Sequence, residues 1–199
     1  MAGVQIDGVN NKIDFDDDLD TSISANTDDT LIIEAGGNTM ATITATTLTI
    51  NDGTTITTAD NTDNLTLKST DTDANIGPNL RLYRAVAGAA SDAIGTIDWA
   101  AQDVAGNLTD YASAAVTITD ATDGSEDATL TLKVMNAGAL NQMLTISGPE
   151  TVVNEGSKDH DFRVESNGNT HMLFVDGGND HINIGGSSDA GGLLNVFGK

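Results

Sequence analysis

Aliphatic residues in this chain come in short pulses with every second position polar, and the pulses end on Asn, Asp or Gly. Leu31-Ile-Ile-Glu ends in Ala35-Gly-Gly-Asn; Thr42-Ile-Thr and Thr47-Leu-Thr-Ile end in Asn51-Asp-Gly; Thr55-Ile-Thr leads through Asp60-Asn-Thr-Asp to Leu65-Thr-Leu-Lys. Ile43, Leu48, Ile50, Ile56, Leu65 and Leu67 each stand between polar neighbours, the period-2 mark of a half-buried strand. No apolar stripe of 3.6-residue period is sustained here, so the pattern predicts an all-β protein of many short strands. Threonine favours strands, and Asn, Asp and Gly set the turns.

The supply of core-forming side chains is thin. One Trp, two Tyr and four Phe in 199 residues leave few of the side chains that bury the largest areas. The last third is the extreme case. Asp161-Phe-Arg-Val-Glu-Ser-Asn-Gly, His171-Met-Leu-Phe-Val-Asp-Gly-Gly and His181-Ile-Asn-Ile-Gly-Gly read as strands with tight turns and nothing beside them to act as a cover. His171-Met-Leu-Phe-Val is apolar at nearly every position, as in a strand buried on both sides. An isolated chain has no layer to put there, so the reading is a subunit whose core is completed by identical copies.

Three segments follow. Residues 1–75 form an N-terminal short-strand shaft or attachment segment. Residues 76–148 form a central domain with five expected strands: Leu80-Arg-Leu-Tyr-Arg, Ala93-Ile-Gly-Thr-Ile-Asp-Trp-Ala, Tyr111-Ala-Ser-Ala-Ala-Val-Thr-Ile-Thr, Ala128-Thr-Leu-Thr-Leu-Lys-Val-Met and Gln142-Met-Leu-Thr-Ile. Short links favour an antiparallel β-meander, with Tyr83, Ile97, Trp99, Tyr111, Ile118, Leu130, Leu132 and Val134 as its core. Ala112-Ser-Ala-Ala is the one stretch that also reads as a helix start. Residues 149–199 form a C-terminal short-strand segment, opening on a polar linker from Glu150 to Lys158. Its expected seam between copies comprises Phe162, Val164, Met172, Leu173, Phe174, Val175, Ile182 and Ile184.

Thirty acidic against eight basic residues give a net charge of −22. That argues against nucleic acid and anionic membranes, both of which need clustered Lys and Arg. Without cysteine there is no disulfide, thiolate metal site or cysteine catalysis. No signal peptide or membrane span is read, and synthesis in a cytoplasm is expected.

Chemistry-bearing motifs are weak, and no catalytic residue, cofactor or metal is expected. Asp14-Phe-Asp-Asp-Asp-Leu-Asp fails the EF-hand pattern, with Leu19 where glycine is needed and Ala25 where a bidentate Glu belongs; it reads as a solvated acidic turn. His160, His171 and His181 read as packed or solvent-facing. Gly185-Gly-Ser-Ser lacks the lysine of a phosphate loop. Arg81, Arg84 and Arg163 are expected to pair across strands with acidic neighbours such as Glu165 or Asp98.

The phrase Asp161-Phe-Arg-Val-Glu-Ser-Asn-Gly-Asn-Thr-His-Met-Leu-Phe-Val-Asp-Gly-Gly resembles a recurring module of tail fibres and related virion proteins of tailed bacteriophages, especially marine ones. Gly77-Pro-Asn-Leu-Arg-Leu-Tyr-Arg with Ile94-Gly-Thr-Ile and Asp123-Gly-Ser-Glu-Asp is similar to a second module, and Asp17-Asp-Leu-Asp-Thr-Ser-Ile to a third. The resemblance covers most of the chain. It implies an elongated, intertwined homotrimer on the virion surface, docked on other virion proteins of the tail or capsid and contacting a host surface glycan or protein. A trimeric tail fibre or spike in host attachment is the first expectation. A head fibre or decoration protein that stabilises the capsid is the second. In the family, Ile182-Asn-Ile-Gly-Gly-Ser-Ser is commonly followed by more shaft or a self-cleaving chaperone domain; here the sequence ends at Lys199, and a long receptor-binding tip is not expected.

Overall fold

Tight turns set the strand lengths of the first unit of the chain. In the computed structural model, residues 4–16, 19–51, 53–188, 192 and 194–196 are described. They contain strands and no helix, and fall into two compact units, residues 1–79 and 80–199. In the first, β1 (Gln5–Asp7), β2 (Lys12–Asp14), β3 (Ser22–Thr27), β4 (Thr30–Ala35), β5 (Asn38–Ile43) and β6 (Leu48–Ile50) form one antiparallel sheet in sequential order. Gly36 and Gly37, at φ 57° and 72°, give β4–β5 the two left-handed residues that a two-residue hairpin needs to match strand twist. Between β5 and β6 the Thr44 hydroxyl accepts the Thr47 amide at 3.1 Å.

The second unit holds two sheets. β7 (Ala93–Gln102), β8 (Leu108–Asp120), β9 (Asp127–Asn136), β10 (Ala139–Ile146) and β11 (Thr151–Val153) lie in the order β11-β10-β9-β8-β7, all antiparallel. β12 (Phe162–Ser166), β13 (Asn169–Asp176), β14 (His181–Ile184) and β15 (Leu194–Val196) form the other, with β14 and β15 parallel. Ala137-Gly138, between β9 and β10, takes φ 50° and 82°. Alanine pays a steric cost there that asparagine tolerates. Ala137→Asn is therefore expected to stabilise the protein by about 0.5–1 kcal/mol, read as a higher denaturant midpoint.

Several expectations need correcting. Thr55-Ile-Thr, Leu65–Lys68 and Leu80–Arg84 carry no strand. The fifth strand of the central sheet is instead β11, inside the stretch read as a polar linker. Ser147 closes that hairpin, its amide and hydroxyl both donating to the Glu150 carbonyl. Leu80–Arg84 does lie against β7: the Leu82 side chain fills the space over Gly95, and Arg84 donates to the Ala93 carbonyl and pairs with Asp92 at 3.0 Å. The guanidinium thus holds a carbonyl that a ladder amide would otherwise take. Ala112–Ala115 is strand, within β8.

Core formation differs most. Ala41 and Phe174 are the buried hydrophobic residues among those described. Of the expected central core, Tyr83 is 79% exposed and Trp99 57%, and Ile97, Tyr111, Leu132 and Val134 are exposed too; Ile118 and Leu130 are half-buried. A single sheet layer leaves such side chains uncovered.

Candidate functional site

Residues directly opposite in a ladder share a sheet face, and the face alternates along each strand. Applied to the first sheet, the registers place Ile6, Ile13, Ile23, Ile33, Ala41 and Ile50 in one row across all six strands. Leu31, Ile43 and Leu48 add a second row on that face. The opposite face is polar and better covered. Ser22, Ser24 and Asp14 are buried there, with Ser22 Oγ donating to Glu34 at 2.8 Å and Lys12 pairing with Asp14 at 2.7 Å. That partner carboxylate raises the Lys12 pKa.

The central sheet repeats the arrangement. One face carries the rows Trp99–Ala112–Val134–Asn141, Ile97–Ala114–Leu132–Leu144–Val153 and Gly95–Val116–Leu130–Ile146–Thr151. The other carries Asp98–Ser113–Lys133–Gln142 and Thr117–Thr129. Here again the polar side holds the buried residue, Ser113, while most of the large apolar side chains stand open.

In the C-terminal sheet one face is wholly apolar. Phe162–Val175–Ile182–Leu194 and Val164–Leu173–Ile184–Val196 form an eight-residue aliphatic and aromatic face. Six of the eight expected seam residues lie on it. Phe174 lies on the reverse, in the row Arg163–Phe174–Asn183–Asn195, and alternation puts Met172 there too. On that reverse side Phe174 finds cover within its own chain, while Met172 stays 44% exposed. Phe174 is 8% exposed, with the His171 ring edge-on at 5.2 Å, and Asn183 and Asn195 are buried. Asn195 Nδ2 donates to Asn183 Oδ1 at 2.8 Å, a buried amide pair that fixes the β14–β15 register. Leu194 and Val196 were not among the expected seam residues, although Leu194-Asn-Val shows the same alternation.

None of these apolar rows contains a charged residue, so the negative charge is carried elsewhere. Much of it sits in turns, where carboxylates accept backbone amides. Asp7, Asp16, Asp60, Asp103, Asp120 and Asp176 are each held below the ordinary 3.8, chiefly by a side-chain hydrogen bond from Asn10, Thr21, Thr62, Asn107, Thr122 and Asn179 respectively. The stabilisation from a carboxylate with a depressed folded pKa is fully present above its unfolded value. It is lost as pH falls through the folded value. Turn amides such as Val9, Thr62, Ala105 and Gly178 are therefore expected to lose their partners with midpoints below 3.8. An NMR titration from about pH 5 to about pH 2 reads this directly, and midpoints at or above 3.8 contradict it.

The acidic run near Asp14 includes residues 17 and 18, which lie outside the described residues. Among the described residues no group of three or more His, Cys, Asp or Glu is arranged to hold a metal ion. His160 and His181 are half-buried, and His171 shares a hydrogen bond with Thr170 at 2.9 Å. Arg163 pairs with Glu165 at 2.6 Å, but along one strand rather than across two; both are well exposed, so the pair adds little stability.

Three sheets with one open apolar face each, together with the exposed strandless stretch 53–88, leave a large accessible surface. The chain exposes 14691 Å². A globular protein of this mass exposes about 8,900 Å², and two separate globular units of the same total mass about 10,600 Å². No protein-family model, curated protein or solved structure matches the chain.

Proposed function

We propose that this chain is one subunit of a homotrimeric structural protein of a phage particle, a tail fibre or spike that contributes to host-surface attachment. The observation that carries the reading is the open, uncharged aliphatic face on each of the three sheets. Copies related by an axis along these faces would cover them with one another. The excess over the globular expectation, about 4,000 Å² or more per chain, falls in the range of obligate assemblies. Charge supports the same arrangement, since strong negative charge repels between copies and the apolar rows carry none. The number three and the phage setting come from the sequence resemblance in the central and C-terminal phrases.

In this reading the protein is an elongated rod with the five-stranded meander as its wider middle, and it binds rather than turns over a substrate. The acidic turns between strands are its outward surface and meet the host. The test is antibody labelling of intact particles by electron microscopy, together with binding of the purified, labelled protein to host cells. Label at the tail and saturable cell binding are expected. Label in many copies over the capsid would replace the tail fibre with a decoration protein or head fibre, and particles without label would overturn the virion reading.

A further inference from the structure

Between β6 and β7 the chain runs without a strand, and among the described residues no backbone–backbone hydrogen bond involves residues 53–88. Part of this stretch is nonetheless shaped as a hairpin. Asp60 Oδ1 accepts the Thr62 amide at 3.0 Å and the Thr62 hydroxyl at 2.6 Å, making a tight turn. Beyond the turn, Asn64 Nδ2 donates to the Ile56 carbonyl at 2.8 Å, and Asn64 Oδ1 accepts the Thr58 hydroxyl at 2.9 Å. The side chain of Asn64 thus closes the two arms where a ladder amide would. The arms are Thr55-Ile-Thr and Leu65-Thr-Leu-Lys, with apolar alternation and with Ile56, Leu65 and Leu67 all exposed. Leu80–Arg84, a similar phrase, has found Gly95, Asp92 and Ala93 in its own chain. Among the described residues the arms at 55–68 have no such partner.

A solvated linker needs neither alternating aliphatics nor an amide clasp. We infer that Thr55–Lys68 is a β-hairpin completed between copies: its arms take backbone hydrogen bonds from neighbouring chains, and Ile56, Leu65 and Leu67 turn onto the seam. The proposal rests on the trimer reading above. Another copy is the occupant for two reasons. The segment follows within a few residues of Ile50, the last member of the isoleucine row, so it continues that proposed interface. Its negative charges, Asp60 and Asp63, sit between the arms, and the arms carry only Lys68, so equivalent arms meet without acidic repulsion.

The experiment uses the full chain. Hydrogen exchange read by mass spectrometry compares amides of 55–57 and 65–68 with those of a synthetic peptide of residues 53–79. At least roughly tenfold slower exchange in the protein is expected, as for amides in a cooperative ladder. The chain has no cysteine, so Leu67→Cys introduces a single thiol whose oxidation is expected to yield covalent dimers on a denaturing gel. Ala74→Cys, between the Asp73 and Asn75 turn residues, is the control and is expected to yield none. Peptide-like exchange in a protein with the mass of three chains overturns this inference and leaves the trimer standing. Protected amides without a Leu67→Cys crosslink overturn it as well, in favour of a hairpin closed within one chain. A single-chain mass removes the trimer reading, and this inference with it.

Discussion

Replacing Ile184 by aspartate is expected to abolish assembly. Ile184 sits in the row Val164–Leu173–Ile184–Val196 and is 39% exposed in the single chain. For a chain that works alone, a charge at so open a position is a surface substitution and changes stability by no more than about 0.5 kcal/mol. In a seam between copies the same carboxylate is buried among aliphatic side chains with no partner. That costs upward of about 4 kcal/mol per chain, and an assembly meets the cost once for every copy. The two cases predict opposite outcomes from one variant. The expected result is loss of the assembled species in sizing or native mass spectrometry, with aggregation of chains whose faces are left uncovered. Asp123→Asn, in an exposed turn between β8 and β9, is the charge-changing control and is expected to assemble. An Ile184→Asp protein that assembles and melts like the parent would show that this face stays in water.

Phe174→Ala is the second large effect, and it acts through a different layer. Phe174 lies on the reverse of the same sheet, 8% exposed, beside the His171 ring and the buried Asn183–Asn195 pair. Truncation removes the one aromatic that is buried among the described residues and leaves a cavity next to amides that depend on exclusion of water. Large-to-small changes of this kind cost about 3–5 kcal/mol. The loss is expected as a fall in thermal midpoint and faster amide exchange in β13 and β14. A change within about 0.5 kcal/mol would mean that this side is not a packed core. Together the two variants separate what the C-terminal sheet buries alone from what it buries only with other copies.

Alternation in the sequence was a good guide to which residues point the same way. Ile43, Leu48 and Ile50 lie on one face as expected, and so do Phe162, Val164, Leu173, Val175, Ile182 and Ile184. It was a poor guide to whether a ladder forms. Ile56, Leu65 and Leu67 alternate equally well and carry no strand. The difference is a partner at the right distance, which period-2 spacing does not encode. Met172 and Phe174 were grouped with the seam because a continuous apolar run hides which side each residue takes. Register against Arg163 and Asn183 resolves Phe174 to the covered side. The expected core around Trp99 and Leu132 is not closed within the single chain, for another reason. Those residues do share an apolar face, but a core also needs a second layer, and that face stays exposed. A strand at 151–153 was missed because only Val152 and Val153 mark it, in a stretch otherwise polar.

The claim on which the account turns is that these faces are covered by other copies of the chain, and the mass of the purified protein in solution tests it most directly. Multi-angle light scattering across a size-exclusion peak is expected to give three times the chain mass of 20.5 kDa, unchanged on dilution. A stable, monodisperse peak at 20.5 kDa would contradict it.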